Sequence, residues 1–159
     1  MKNLMILWLT LVVTCAFTAT GQDRAMTFEQ AEKLGIPFQR LDSLYKSAVH
    51  SELELAVFKT PEEQESLIIA YRRFMRELGT FLKNHSFNWE KETMCFNRIY
   101  FSSEGEVDYF LYNFPPGQLA EGKEKEFKRL LNLFVQQNRF TLSADEGFAQ
   151  CSPIKYSDK

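Results

Sequence analysis

Histidine and cysteine are scarce in this chain, and the scarcity removes whole classes of chemistry. His50 and His85 are the entire histidine supply. Neither belongs to an HxH, HExxH or Cys/His cluster, so the ligand spacing of a zinc site is missing. No GxSxG, P-loop or GxGxxG motif occurs, which removes the usual sequence pointers to a serine hydrolase, an NTPase or a dinucleotide-binding enzyme. Cys95 and Cys151 do not form a CxxC, so the redox-active pair of an oxidoreductase is absent. Charge of a single sign is lacking as well. The chain carries 19 Lys+Arg against 21 Asp+Glu with the signs interspersed, and phosphate binding needs clustered positive charge. Nucleic acid is thus not an expected partner. Internal repeats and low-complexity tracts are missing too. No cofactor is implied by any of these features.

What is present begins at Met1. Lys2 supplies a positive charge, Leu4–Thr14 is an apolar run, and Ala19-Thr20-Gly21 supplies small residues. That order reads as a secretory signal, and its apolar run is shorter than the about 20 residues needed to cross a bilayer. Ala19 and Gly21 take the −3 and −1 positions of a cut before Gln22. Two alternatives stay open. Val12-Val13-Thr14-Cys15 is a loose lipoprotein box that would lipidate Cys15, and an uncleaved signal would act as an anchor. Membrane association follows only from those alternatives. The expected location is otherwise periplasmic or extracellular.

Export changes the reading of the thiols. In an oxidising compartment Cys95 and Cys151 are candidates for a disulfide, the alternative being two buried free thiols. Asn84-His85-Ser86 is an N-x-S sequon, meaningful only in a glycosylating pathway.

Residues 22–159 read as one α+β domain, with a helical part over 22–90 and a ββαβ part over 91–159. Gln22–Met26 reads as a frayed leader. Thr27 with Gln30 has capping-box spacing, and the short helix after it ends at Leu34-Gly35. Pro37 suits a first helical turn, and Phe38, Leu41, Leu44, Tyr45, Ala48 and Val49 predict an amphipathic helix over about 38–50. Thr60-Pro61-Glu62-Glu63 is a helix start with cap, N1 proline and first-turn acids. Leu67, Ile68, Tyr71, Phe74, Met75, Leu78, Phe81 and Leu82 then predict one apolar face running to about Lys83-Asn84. Arg72, Arg73 and Arg76 fall on the opposite, solvated face.

After Trp89 the period changes to two. Met94–Phe101 and Glu106–Phe114 predict a hairpin closed by Ser103-Glu104-Gly105, with Gly105 at positive φ. That loop pairs Phe101 with Val107, Ile99 with Tyr109 and Asn97 with Leu111. It leaves Phe96, Tyr100, Phe110 and Tyr112 together on the other face, as a candidate ligand or partner surface. A helix follows over about Lys123–Asn138, striped by Phe127, Leu130, Leu131, Phe134 and Val135. A last strand lies near Phe148–Cys151. The order ββαβ predicts a small antiparallel three-stranded sheet in the order second–first–third, with the N-terminal helices covering its aromatic face.

Arg98-Ile-Tyr-Phe-Ser-Ser-Glu-Gly-Glu-Val, followed by a helix and a short terminal strand, resembles the TonB C-terminal-domain pattern over residues 94–156. The resemblance implies the ββαβ topology and capture of a partner peptide by strand addition, and it assigns no catalytic residue. The expected function is therefore an exported, non-enzymatic interaction module with an unidentified protein partner. A carrier of a small hydrophobic ligand, held by the four rings, is the second reading. A small enzyme, in which acids such as Glu104, Glu106 and Asp108 would converge with His50 or His85, is the third. Intact-mass analysis of the exported protein should give a chain that begins at Gln22; a chain that keeps Met1, or a lipid on Cys15, would overturn the cleavage reading.

Overall fold

The computed structural model describes residues 23–158; the signal segment and Cys15 lie outside the described residues. Among those, the chain runs β1 (Ala25–Thr27), α1 (Phe28–Lys33), α2 (Phe38–Asp42), β2 (Lys46–Ser47), a 3₁₀ turn (Leu53–Leu55), α3 (Pro61–Asn84), β3 (Thr93–Phe101), β4 (Val107–Asn113), α4 (Glu121–Gln137) and β5 (Phe148–Tyr156).

Local chemistry sets the helix ends. Thr27 accepts from the Gln30 backbone N–H while the Gln30 side chain accepts from that of Thr27, and Gly35 follows α1 at φ 74°. The same reciprocal box joins Thr60 and Glu63 at the start of α3, with Pro61 in its first turn. Acids there face the positive end of the helix dipole. His85 closes α3, its Nδ1 lying 2.8 Å from the Phe81 carbonyl.

The sheet is larger than the sequence predicts. It has five strands in the order β1-β4-β3-β5-β2, and it is mixed rather than antiparallel. The predicted second–first–third arrangement forms its centre: β3 pairs antiparallel with both β4 and β5. Two short parallel strands are added outside, β1 against β4 and β2 against β5. Neither was expected. Ala25 and Met26, read as a frayed leader, are buried, and Lys46-Ser47 was read as helix.

The helix predicted over 38–50 stops after Asp42. Ser43 folds its hydroxyl back onto the Arg40 carbonyl at 2.7 Å, a local bond that competes with helix continuation. Ala48 N–H then donates to Ala149 O at 2.8 Å, committing the backbone to the sheet edge. Leu44 consequently lies 68% exposed.

The hairpin loop keeps Gly105 at φ 80°, and Phe101 faces Val107 as predicted. Beyond that pair the register shifts by one: Tyr100 faces Tyr109, Ile99 faces Phe110 and Asn97 faces Tyr112. The extra residue, Asp108, is a β-bulge, and it reverses the faces expected for the rest of β4.

Two layers of helix cover the two faces. α3 and α4 lie together on one, where Phe74 meets Phe101 at 5.7 Å and Phe134 at 5.2 Å, and Phe127 meets Tyr112 at 5.2 Å. The smaller core on the other face joins Met26, Ala31, Leu41, Tyr100 and Leu111 under α1 and α2. The long N-terminal helix α3 therefore sits beside α4, not across the sheet from it. Ile68, placed by periodicity on its buried face, is 49% exposed.

β1 is held from both sides. Phe110 N–H donates to Arg24 O at 2.8 Å on the β4 side. On the other, the Asn132 side chain of α4 stands in for a neighbouring strand: its Oδ1 accepts from Arg24 N–H (2.8 Å) and Ala25 N–H (2.9 Å), and its Nδ2 donates to Ala25 O (2.9 Å). An unpaired buried amide costs about 1–3 kcal/mol. Asn132→Ala should therefore lower stability by about 2–4 kcal/mol in urea unfolding and speed hydrogen exchange at Ala25 before exchange in β3. Unchanged exchange at Ala25 would contradict this role.

Candidate functional site

An aromatic surface left open by the two helical layers lies at one end of the α1/α2 face. Phe28 begins α1, Phe38 begins α2 and Phe96 projects from β3. With Pro37, Gln39, Asn113 and the carboxylates of Glu29 and Glu32, they line an open groove of about 480 Å³. The Phe28 ring lies 5.9 Å from Phe38, edge to face, and 6.0 Å from Phe96. Phe38 and Phe96 keep 39% and 40% of their surfaces exposed.

The groove is mounted on a polar cluster beneath α2. Asp42 at the end of α2 carries a negative charge where the helix dipole disfavours it, and Arg98 of β3 offsets that charge. Arg98 Nη2 lies 2.6 Å from Asp42 Oδ1, and the Tyr100 hydroxyl donates to the same oxygen at 2.9 Å. The Arg98 guanidinium also sits 6.0 Å over the Phe38 ring. Burial pushes the Tyr100 hydroxyl well above its ordinary pKa, with the Asp42 carboxylate adding to the shift. It therefore remains a donor throughout the physiological range.

The four rings expected on one face are divided between two. The bulge at Asp108 turns Phe110 and Tyr112 into the large core with α3 and α4, whereas Tyr100 packs in the smaller core. Phe110, Tyr112 and Tyr100 are buried, and of the four only Phe96 reaches the surface groove. Of its partners there, Phe28 was not singled out by sequence and Phe38 figured only as one member of an apolar helical stripe. Their one signal is that each occupies the first residue of a short helix with too few apolar positions to bury it.

The cysteines are free rather than bonded: Cys95 is buried and Cys151 exposed. Cys95 faces Ile154 across the β3–β5 ladder, and Cys151 faces Arg98. Three residues separate these positions along the ladder, an odd number, so the two thiols point to opposite faces of the sheet.

Of the remaining candidates for chemistry, Glu104 is exposed in the hairpin loop, and the others are engaged elsewhere. Glu106 pairs with Arg139 at 2.7 Å, and Asp108 accepts from the Tyr45 hydroxyl at 2.9 Å. His50 Nδ1 accepts from Glu52 N–H at 3.0 Å. Among the described residues no group of three His, Cys, Asp or Glu side chains is placed to hold a metal ion. Arg72, Arg73 and Arg76 are exposed on α3, and Arg73 pairs with Glu77.

No family model matches the chain, and no curated protein or solved structure does.

Burial pushes the Cys95 thiol up to about 12, leaving almost no thiolate to react at neutral pH. A thiol-specific reagent should therefore titrate Cys151 alone in the native protein at pH 8, and Cys95 as well once urea unfolds it. Finding neither thiol reactive in denaturant without reductant would restore the disulfide.

Proposed function

We propose that this chain is an exported, non-enzymatic module that binds a protein partner through the groove of Phe28, Phe38 and Phe96. Phe38 and Phe96, the two exposed phenylalanine rings among the described residues, are the observation that carries this reading. Aromatic side chains, phenylalanine included, are enriched at protein interfaces relative to the rest of a protein surface. The ββαβ order over residues 94–156 supports the likeness to TonB-type binding modules, although the route of capture differs from strand addition.

Every sheet edge argues for the groove instead. β1 is closed by Asn132. β2 is closed by residues 57 and 58, where Val57 N–H donates to Ser47 O and Phe58 N–H to Ala48 O, both at 3.0 Å. β3 before Phe96 has no strand on its β4 side, but Met94 N–H there donates to the Gln118 side chain at 3.0 Å, and Val107 O of β4 accepts from the Arg24 side chain at 3.2 Å. β5 beyond Ala149 likewise lacks an outer strand. Gly147 and Ala149 present their carbonyls to β2, so by strand alternation Cys151, Pro153 and Lys155 turn their backbone outward. Pro153 has no N–H to offer, Lys155 adds a charge, and the Gln150 side chain donates to Cys151 O at 3.1 Å. Such features blunt an edge against added strands. The carrier reading loses its pocket, since the four rings proposed to line it no longer meet.

A photo-crosslinking amino acid placed at position 38 or 96, in cells that make the protein, should give a discrete protein adduct. The same group at Ile69, exposed on the other helical layer, should give none. Equal adducts from both places, or none from the groove, would overturn the reading.

A further inference from the structure

We infer that the occupant of this groove is a peptide segment that presents a lysine or arginine beside an apolar side chain. The inference rests on the groove being the docking site and adds the chemistry of its partner.

The lining combines three aromatic rings with two carboxylates, Glu29 and Glu32, and contains no lysine or arginine. Ring faces are negative, and a cation within about 6 Å of a ring centroid is attracted to it. The chain uses that attraction internally, where the Arg98 guanidinium lies over Phe38. An incoming cation would meet rings and carboxylates of the same electrostatic sense, whereas an acidic segment would be repelled by both. Two cations adjoin the groove: Arg98, over Phe38 and paired with Asp42, and Lys33, paired with Glu29 at 2.5 Å. The Lys33 and Glu29 side chains are both more than two-thirds exposed, at 72% and 74%. A pair so exposed is worth little, so a partner can displace Lys33 at small cost. Among the described residues Glu32 makes no salt bridge. The apolar half of the motif follows from the exposed faces of Phe38 and Phe96, which only a hydrophobic side chain would cover without stranding a polar group.

Two fluorescein-labelled dodecapeptides test this by anisotropy with the exported chain, one alternating leucine with lysine and one alternating leucine with glutamate. The leucine–lysine peptide should bind, and the leucine–glutamate peptide should bind at least about tenfold more weakly. The double variant Glu29→Gln with Glu32→Gln should weaken the leucine–lysine complex at least about fivefold and flatten its dependence on salt. Both changes lie on the surface, and circular dichroism checks that the fold is kept. Equal binding of the two peptides, no effect of the glutamine pair, or no binding of either peptide would overturn the basic-peptide inference. The variant Phe38→Ser with Phe96→Ser separates the two levels. If it leaves the leucine–lysine complex unchanged, the groove itself is the wrong site. If it abolishes binding while the glutamine pair has no effect, the groove stands and only its preference for cations falls.

Discussion

Asp108 decides which side of β4 is which. One residue inserted opposite the Tyr100/Phe101 step moves every later β4 side chain to the other face of the sheet, because strand side chains alternate with period two. Phe110 and Tyr112 thereby join Ile99 and Phe101 in the layer beneath α3 and α4, while Tyr109 and Leu111 join Tyr100 beneath α1 and α2. Without the bulge, Tyr109 and Leu111 would face the large core and two rings would be added to the smaller one. That smaller layer is roofed by only two short helices. The bulged residue is itself used, since Asp108 accepts from Tyr45 and so helps hold the turn between α2 and β2. A local irregularity therefore divides the aromatic content into a thick core and a thin one.

The elements legible in the sequence are those whose chemistry is local. The capping box of α1 and the glycine after it, the threonine cap and proline at the start of α3 and the three-residue hairpin loop act within a few residues of themselves. So does the stripe of α4, whose Phe127, Leu130, Leu131, Phe134 and Val135 are all buried. The central strand order followed from connectivity alone. What escaped depends on distant partners. β1 is three residues long, and its outer hydrogen bonds come from Asn132, more than a hundred residues away. β2 is a strand because β5 lies beside it, and its apolar spacing imitated a helix. Phe148–Tyr156 outran its predicted end because Pro153 was read as a stop. On a strand flank with no outer neighbour, a missing N–H costs nothing.

The thiols and the groove show the same limit at the level of sites. Neighbouring strands made a disulfide topologically reasonable, yet parity along the ladder separates Cys95 from Cys151 completely. Likewise, three of the four rings chosen as a partner surface are core residues. Phe96 and Tyr100 lie on the face predicted for them, and of the two only Phe96 reaches the surface. The grouping failed because it depended on a register that one unpaired residue alters, and no feature of residues 106–114 announces that residue.

The groove itself follows from element lengths. α1 and α2 contain six and five residues, so each reaches only about 8–9 Å at 1.5 Å per residue. The nine residues of β3 run about 30 Å at 3.3 Å each. On the opposite face, the 24 residues of α3 reach about 36 Å and can cover that strand from end to end. The short pair cannot. Leu41 and Ala31 seal the middle of their layer, and the Arg98–Asp42–Tyr100 cluster pins α2 there. The early part of β3 stays uncovered on this face, which leaves Met94 and Phe96 at 41% and 40% exposure. Extending α2 past Asp42 would not roof the gap, because the chain there runs toward Tyr100 and Phe148, where Tyr45 and Lys46 already lie, and away from Phe96. The open aromatic end is thus the geometric consequence of laying two helices of six and five residues over a nine-residue strand.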